Sequence, residues 1–186
     1  MQNQDILKEL DNIELSIEKL QSILLNSQNN IDVINAIASN IIKKDIMYDY
    51  QKNEIQELKK FLVKLTYIDN TNIKIAIAKN SYTPNYILKK LSTDSLDLIR
   101  ASISTNENAS SYILNKLSKD KVKIVRDALA GNSATPIKIL DKLSRSRDKM
   151  TRMRVAENPS TSKKTLEKLI NDNDGDVVNA SIKMFN

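Results

Sequence analysis

The sequence predicts an all-α solenoid of short two-helix repeats, and three observations carry that prediction. First, one phrase recurs every 26 residues: "IAKNSYTPNYILKKLS" (Ile77 to Ser92), "ISTNENASSYILNKLS" (Ile103 to Ser118), "LAGNSATPIKILDKLS" (Leu129 to Ser144) and "VAENPSTSKKTLEKLI" (Val155 to Ile170). A period of that size marks stacked structural units. Second, Leu, Ile, Lys and Glu dominate, whereas 2 glycines, 3 prolines, 2 phenylalanines and no tryptophan leave few strand or hairpin signals. Third, each unit divides into two apolar stripes of helical spacing. Helices of two or three turns are unstable alone, so they must bury those stripes against neighbouring copies. With 186 residues and 40% hydrophobic content, the chain is large enough to bury such a core.

The N-terminal segment, residues 1–30, follows a different rule. Ile6, Leu10, Ile13, Ile17, Leu20 and Leu24 are spaced 4, 3, 4, 3, 4, a heptad seam flanked by acidic side chains. It predicts one amphipathic helix, which either caps the array or pairs with its twin in a homodimer. Residues 31–70 read as a degenerate first repeat with an insertion, because "INAIASN" matches "IKIAIAKN" and "LVKLT" matches "LKKLS" at a longer separation. Residues 71–186 form the regular array, ending on "DVVNASIKMFN", which matches a first helix alone.

Within the array, Leu88, Leu114, Leu140 and Leu166 make one core column, and Leu91, Leu117, Leu143 and Leu169 another, at the i, i+3 spacing of a helix stripe. Asn80, Asn106, Asn132 and Asn158 mark the break between the two helices. Asparagine tolerates the left-handed backbone that closes many helices, and that conformation is expected at these positions. Thr83-Pro84 and Thr135-Pro136 are expected to supply an N-cap hydroxyl and a first-turn proline to the second helix.

Composition also limits chemistry. The chain has no cysteine and no histidine. Disulfides, thiolate metal sites, cysteine nucleophiles and imidazole acid-base catalysis are therefore excluded. Two isolated glycines cannot build a GxxxxGK[ST] or GxGxxG phosphate loop. No enzyme activity, cofactor or metal site is expected. The N-terminus lacks a signal-peptide pattern and no apolar run is of membrane length, so no membrane partner and a cytoplasmic location are expected. The abundance of Ile, Lys and Asn suits an AT-rich bacterial or phage genome.

The phrases "VAENPSTSKKTLEKL" and "IVRDALAGNSATPIKILDKLS" resemble the leucine-rich repeat variant family, whose unit carries Val-Arg, Val-Ala-x-Asn-Pro, Thr-Pro and Leu-x-x-Leu at these relative places. The resemblance covers about residues 73–182. The proline after asparagine survives only at Pro159, and the unit is slightly longer than usual. The resemblance implies alternating α- and 3₁₀-helices in a right-handed superhelix related to HEAT-like arrays. Some members carry an iron-sulfur cluster on cysteines, which this chain lacks.

Function is expected to lie in charge. Residues 1–70 hold 8 basic and 11 acidic side chains, a net of −3, whereas residues 71–186 hold 21 and 12, a net of +9. The positive field peaks in "SRSRDKMTRMR", where Arg145, Arg147, Lys149, Arg152 and Arg154 crowd one turn and the start of a helix. Two basic columns accompany it. Lys64, Lys90, Lys116, Lys142 and Lys168 stand just before the second core leucine, where a cation complements a helix dipole. Lys74, Arg100, Arg126 and Arg152 stand on the first helix, with Asp94, Asp120 and Asp172 placed to tie one repeat to the next.

Tyr86 and Tyr112 share a column that becomes Lys138 and Lys164, and are expected to pack against neighbours. The favoured reading is a non-enzymatic interaction module whose curved basic face binds an acidic protein. The alternative is a nucleic-acid-binding protein that contacts the phosphate backbone. A HEAT-like DNA-repair enzyme would need a carboxylate in an aromatic-lined cleft, for which the sequence offers no tryptophan.

Overall fold

The structure, a computed structural model, describes residues 3–27, 30–47 and 50–185. Residues 1, 2, 28 and 29 of the N-terminal segment, 48 and 49 of the insertion and 186 of the array lie outside the described residues. Among the described residues there are thirteen α-helices and no strand, so the fold class is the all-α solenoid that the repeats predict. None of these helices is long and apolar enough to cross a membrane.

The chain divides into two compact units, residues 1–87 and 88–186, with the division inside α6 (Asn85–Leu91). The first unit holds α1 (Asn3–Leu10), α2 (Ile17–Asn26), α3 (Ile31–Met47), α4 (Lys52–Leu65) and α5 (Thr71–Lys79). Here α1 packs on α3, α3 on α5, and α2 on α4. The second holds α7 (Asp97–Ser104), α8 (Ser111–Leu117), α9 (Lys123–Gly131), α10 (Ile137–Leu143), α11 (Lys149–Glu157), α12 (Lys163–Leu169) and α13 (Gly175–Phe185). In it α7 packs on α9, α9 on α11, and α11 on α13.

Both leucine columns are buried throughout, as is a second pair of columns on the first helices, Ile73/Ile77, Ile99/Ile103 and Val125/Leu129, spaced four apart. The second helices are seven-residue α-helices with i to i−4 bonds such as Ser118 N–H to Leu114 O, not the 3₁₀ turns that the family resemblance implies. Their leucines at i and i+3 need little more than one α-turn to face the core.

Two local expectations are corrected. No described residue has a positive φ, and Asn132 (φ −79°, ψ 120°) and Asn158 (φ −76°, ψ 123°) are extended. Asparagine recurs there for its side chain. The Asn132 amide donates to Ser104 O (2.8 Å) and Asn106 O (3.2 Å), and Asn158 donates to Ala130 O (2.7 Å) and Asn132 O (2.8 Å). The threonines do not cap the second helix. Thr83, Thr135 and Thr161 donate back to Ile77 O, Leu129 O and Val155 O near the end of the first helix, where Leu129 O and Val155 O also accept the N–H of Asn132 and Asn158.

The N-terminal seam is also corrected. It is not one helix, because Asn12 and Ser16 interrupt it between α1 and α2. Asn12 Oδ1 accepts the Glu14 N–H (2.9 Å), as Asn132 Oδ1 accepts that of Ala134 (2.8 Å). Ser16 Oγ accepts the Lys19 N–H and caps α2. The Asn40 amide then donates to Leu10 O (2.8 Å) and Asn12 O (2.9 Å), the same bridge that Asn132 makes. Counted from the asparagine, Leu20 and Ile23 occupy the places of Leu140 and Leu143, and all four are buried. The segment is itself a repeat. Leu10, Ile17 and Leu20 are buried inside this chain and Ile6, Ile13 and Leu24 half-buried, so no continuous stripe remains for a coiled-coil homodimer.

The irregular spacing that follows comes from α3, which runs past Asn40 to Met47 while Asn40 still makes its bridge. Lys44, 2% exposed on this extension, donates to Ile13 O and lies 5.6 Å from the Tyr50 ring centroid. Burial lowers its pKa, against the attraction of Glu54 and Glu14.

Leu140→Ala is expected to cost about 2–5 kcal/mol in urea unfolding, as a core truncation does. Asn132→Asp places a carboxylate oxygen against two carbonyls and is expected to cost at least about 1–3 kcal/mol. A midpoint equal to that of the parent in either variant would contradict the core or bridge assigned to it.

Candidate functional site

Two edges follow from the two kinds of turn in the second unit. The asparagine turns form one edge. The turns that lead from a second helix into the next first helix, residues 92–96, 118–122, 144–148 and 170–174, are richer in charged side chains than the asparagine turns and form the other.

The charged edge is organised by arginine. Arg100 donates through Nη1 to Asp94 O (2.8 Å) and Ser95 O (3.0 Å), and through Nε and Nη2 to the two carboxylate oxygens of Asp120 (2.7 and 3.1 Å). Arg152 repeats this with Ser146 O, Arg147 O and Asp172 (2.7 and 2.9 Å). Each guanidinium closes its own turn and grips the next, as the Asp and Arg columns predict. A planar fork on a carboxylate is the strong form of such a pair. Hydrogen bonds from Arg100 and Arg152 hold the Asp120 and Asp172 carboxyls below the usual carboxylate range, while burial acts in the opposite direction.

This organisation dismantles the predicted basic cluster. Arg152, 12% exposed against 8% for Asp172, is internal and withdrawn from the site. Lys149 pairs with Asp174 and Asp176 (both 3.3 Å), and Arg145 with Asp141 (2.8 Å). Arg147 and Arg154 are exposed and form no ion pair with a described residue, but α11 separates them. Six residues of helix span about 9 Å. Arg154 accordingly lies by Gly131 on the asparagine edge, its Nη1 3.5 Å from where a Cβ there would stand. Local charge density in sequence did not become one surface patch, because consecutive helix residues point in different directions.

The lysine column divides similarly. Lys168 pairs with Asp141 (2.7 Å), Lys64 donates to Gln21 (2.9 Å) in the first unit, and Lys116 approaches Ser92 Oγ (3.4 Å). Lys90 and Lys142 are exposed without an ion pair to a described residue. Tyr86 and Tyr112 are each 64% exposed, since the core side of the helix is taken by the leucines, and Lys89 Nζ of the preceding second helix lies 5.3 Å from the Tyr112 ring centroid.

Lys119 and Lys121, which the sequence reading passed over, complete the edge. With Lys116 they border an open cleft of about 390 Å³ between the turns at 92–94 and 117–121. Both are exposed, and neither forms an ion pair with a described residue. The only signal in sequence was their position flanking the ladder residue Asp120.

Fold and geometry together define an all-α repeat protein with a charged turn edge. Among solved structures, the chain is similar to "a leucine-rich repeat variant with a novel repetitive protein structural motif", at 14% identity and a TM-score of 0.37, covering 93% of this chain and 88% of that one. No protein-family model matches the sequence, and no curated protein matches it.

The ladder carries a pH signature. A carboxyl whose folded pKa is depressed stabilises fully above its unfolded pKa, about 3.9, and loses that contribution as pH falls through the folded value. The stability difference between parent and Asp172→Asn is therefore expected to be full near about pH 7 and to shrink below about pH 4. Urea unfolding across that range measures it, and a constant difference would show that the pair gains nothing from charge.

Proposed function

We propose that the chain is a non-enzymatic interaction module that binds an acidic protein surface through the charged turn edge of its second unit. The observation that supports this is the cleft bordered by Lys116, Lys119 and Lys121. Arg100 and Arg152 of that edge are taken up internally, whereas these ammonium groups face water without an ion pair to a described residue. An acidic surface would be drawn to them, with the salt sensitivity of exposed charges. Such contacts contribute association rate and selectivity more than affinity. Site residues for this reading are Lys116, Lys119, Lys121, Lys142 and Arg147.

A second reading, contact with a nucleic-acid backbone, is favoured by one observation: Tyr112 offers an exposed ring beside Lys89, and a ring next to a cation suits base stacking.

The test compares the triple variant Lys116→Glu, Lys119→Glu, Lys121→Glu with Arg154→Glu, using poly-L-glutamate and a mixed-sequence DNA duplex as probes. The parent is expected to prefer polyglutamate, the triple variant to lose at least about tenfold in affinity, and Arg154→Glu to change little. Preference for the duplex, reduced by Tyr112→Ala, would favour the second reading. Absence of binding to both would end both readings.

A further inference from the structure

The arginine ladder has one gap. Arg126 is anchored like Arg100 and Arg152, its Nη1 donating to Asp120 O (2.7 Å) and Lys121 O (3.0 Å). Those two sister arginines each reach an aspartate 20 residues ahead, Asp120 and Asp172. For Arg126 that position is Ser146.

Ser146 performs only half of the aspartate's role. Its Oγ accepts the Asp148 N–H (3.2 Å), as Asp120 Oδ1 accepts that of Val122 and Asp172 Oδ1 that of Asp174 (both 2.9 Å). The aspartates present a second oxygen to the fork, and a hydroxyl has none to present. Nε and Nη2 of Arg126 consequently have no acceptor among the described residues, although the anchored Nη1 holds the guanidinium in place. Arg126 and Ser146 are half-buried, with Lys121 and Arg147 exposed on the adjoining turns.

We infer that the Arg126 fork beside Ser146 is a docking notch for one carboxylate of the partner. This rests on the interaction-module reading given above and names the group recognised. The ligand class follows from the sister positions, where an equivalently anchored fork holds a carboxylate through two bonds of 2.7 to 3.1 Å. Two parallel N–H donors in one plane match a planar carboxylate. Because the anchor fixes the fork beforehand, little side-chain freedom is lost on binding.

Ser146→Asp closes the notch from within, using the residue that stands at the equivalent turns. Arg147→Gln is the control: it makes the same change in net charge one residue away and leaves the fork open. Binding of poly-L-glutamate is measured for both, with the Arg126 Nε–H resonance followed by NMR. Ser146→Asp is expected to raise the thermal midpoint, to weaken polyglutamate binding about tenfold or more, and to abolish the response of Nε–H to the probe, whereas Arg147→Gln weakens binding about two- to threefold and keeps that response. If both variants weaken binding equally and Nε–H of the parent is silent, the notch is overturned while the interaction reading stands. A parent that binds no polyglutamate overturns both. An Nε–H that answers DNA phosphate and not polyglutamate overturns the carboxylate assignment.

Discussion

The structure depends most on one side-chain amide. Helices of seven to nine residues leave a large share of their carbonyls without intrahelical partners, and stacking the units buries those carbonyls away from water. An asparagine amide has two N–H donors and one acceptor, which is what such a turn requires. Asn40, Asn132 and Asn158 each give both protons to the two carbonyls at the corresponding turn of the preceding unit. Asn132 and Asn158 also use Oδ1 to hold the N–H two residues ahead in their own turn. One residue thus terminates a helix and sets its register on the previous one. Aspartate has no donor for the carbonyls, and alanine would leave them unsatisfied at a cost of about 1–3 kcal/mol.

The opposite edge solves the same problem with charge. Arg100 and Arg152 satisfy two carbonyls of their own turn and a carboxylate of the next, so the edge is tied by forks instead of amides. Part of the positive charge written into residues 71–186 is therefore structural. Lys116, Lys119 and Lys121 around the cleft, and Lys142 and Arg147 beyond it, are among the exposed cations that the ladder leaves out. A buried ion pair needs its partner in place, which makes the one rung without a carboxylate, at Arg126, a position of chemical consequence.

The repeat also explains why the N-terminal segment reads as a heptad. A buried stripe on each of two consecutive helices, separated by a six-residue break, reproduces the 4, 3, 4, 3, 4 spacing of a coiled coil by chance of length. Asn12, eight residues before Leu20 as Asn132 is before Leu140, was the signal that distinguishes the two. Its column was obscured because α3 continues through Asn40 and the interval to Asn80 grows to 40 residues.

The sequence by itself determined the period, the helical class, the leucine columns, the asparagine breaks of the regular array, and the Asp and Arg columns that tie one repeat to the next. These are properties of spacing, and spacing survives in a linear text. Tertiary structure decided why asparagine stands at the break, that the threonines bond backward, that Ile6 to Leu24 spans a repeat, and that Arg152 faces inward while Arg147 and Arg154 part to opposite edges. Each of those outcomes depends on which side of a helix a residue takes and on groups 20 to 28 positions away brought near by stacking, so no local reading of "SRSRDKMTRMR" contained them.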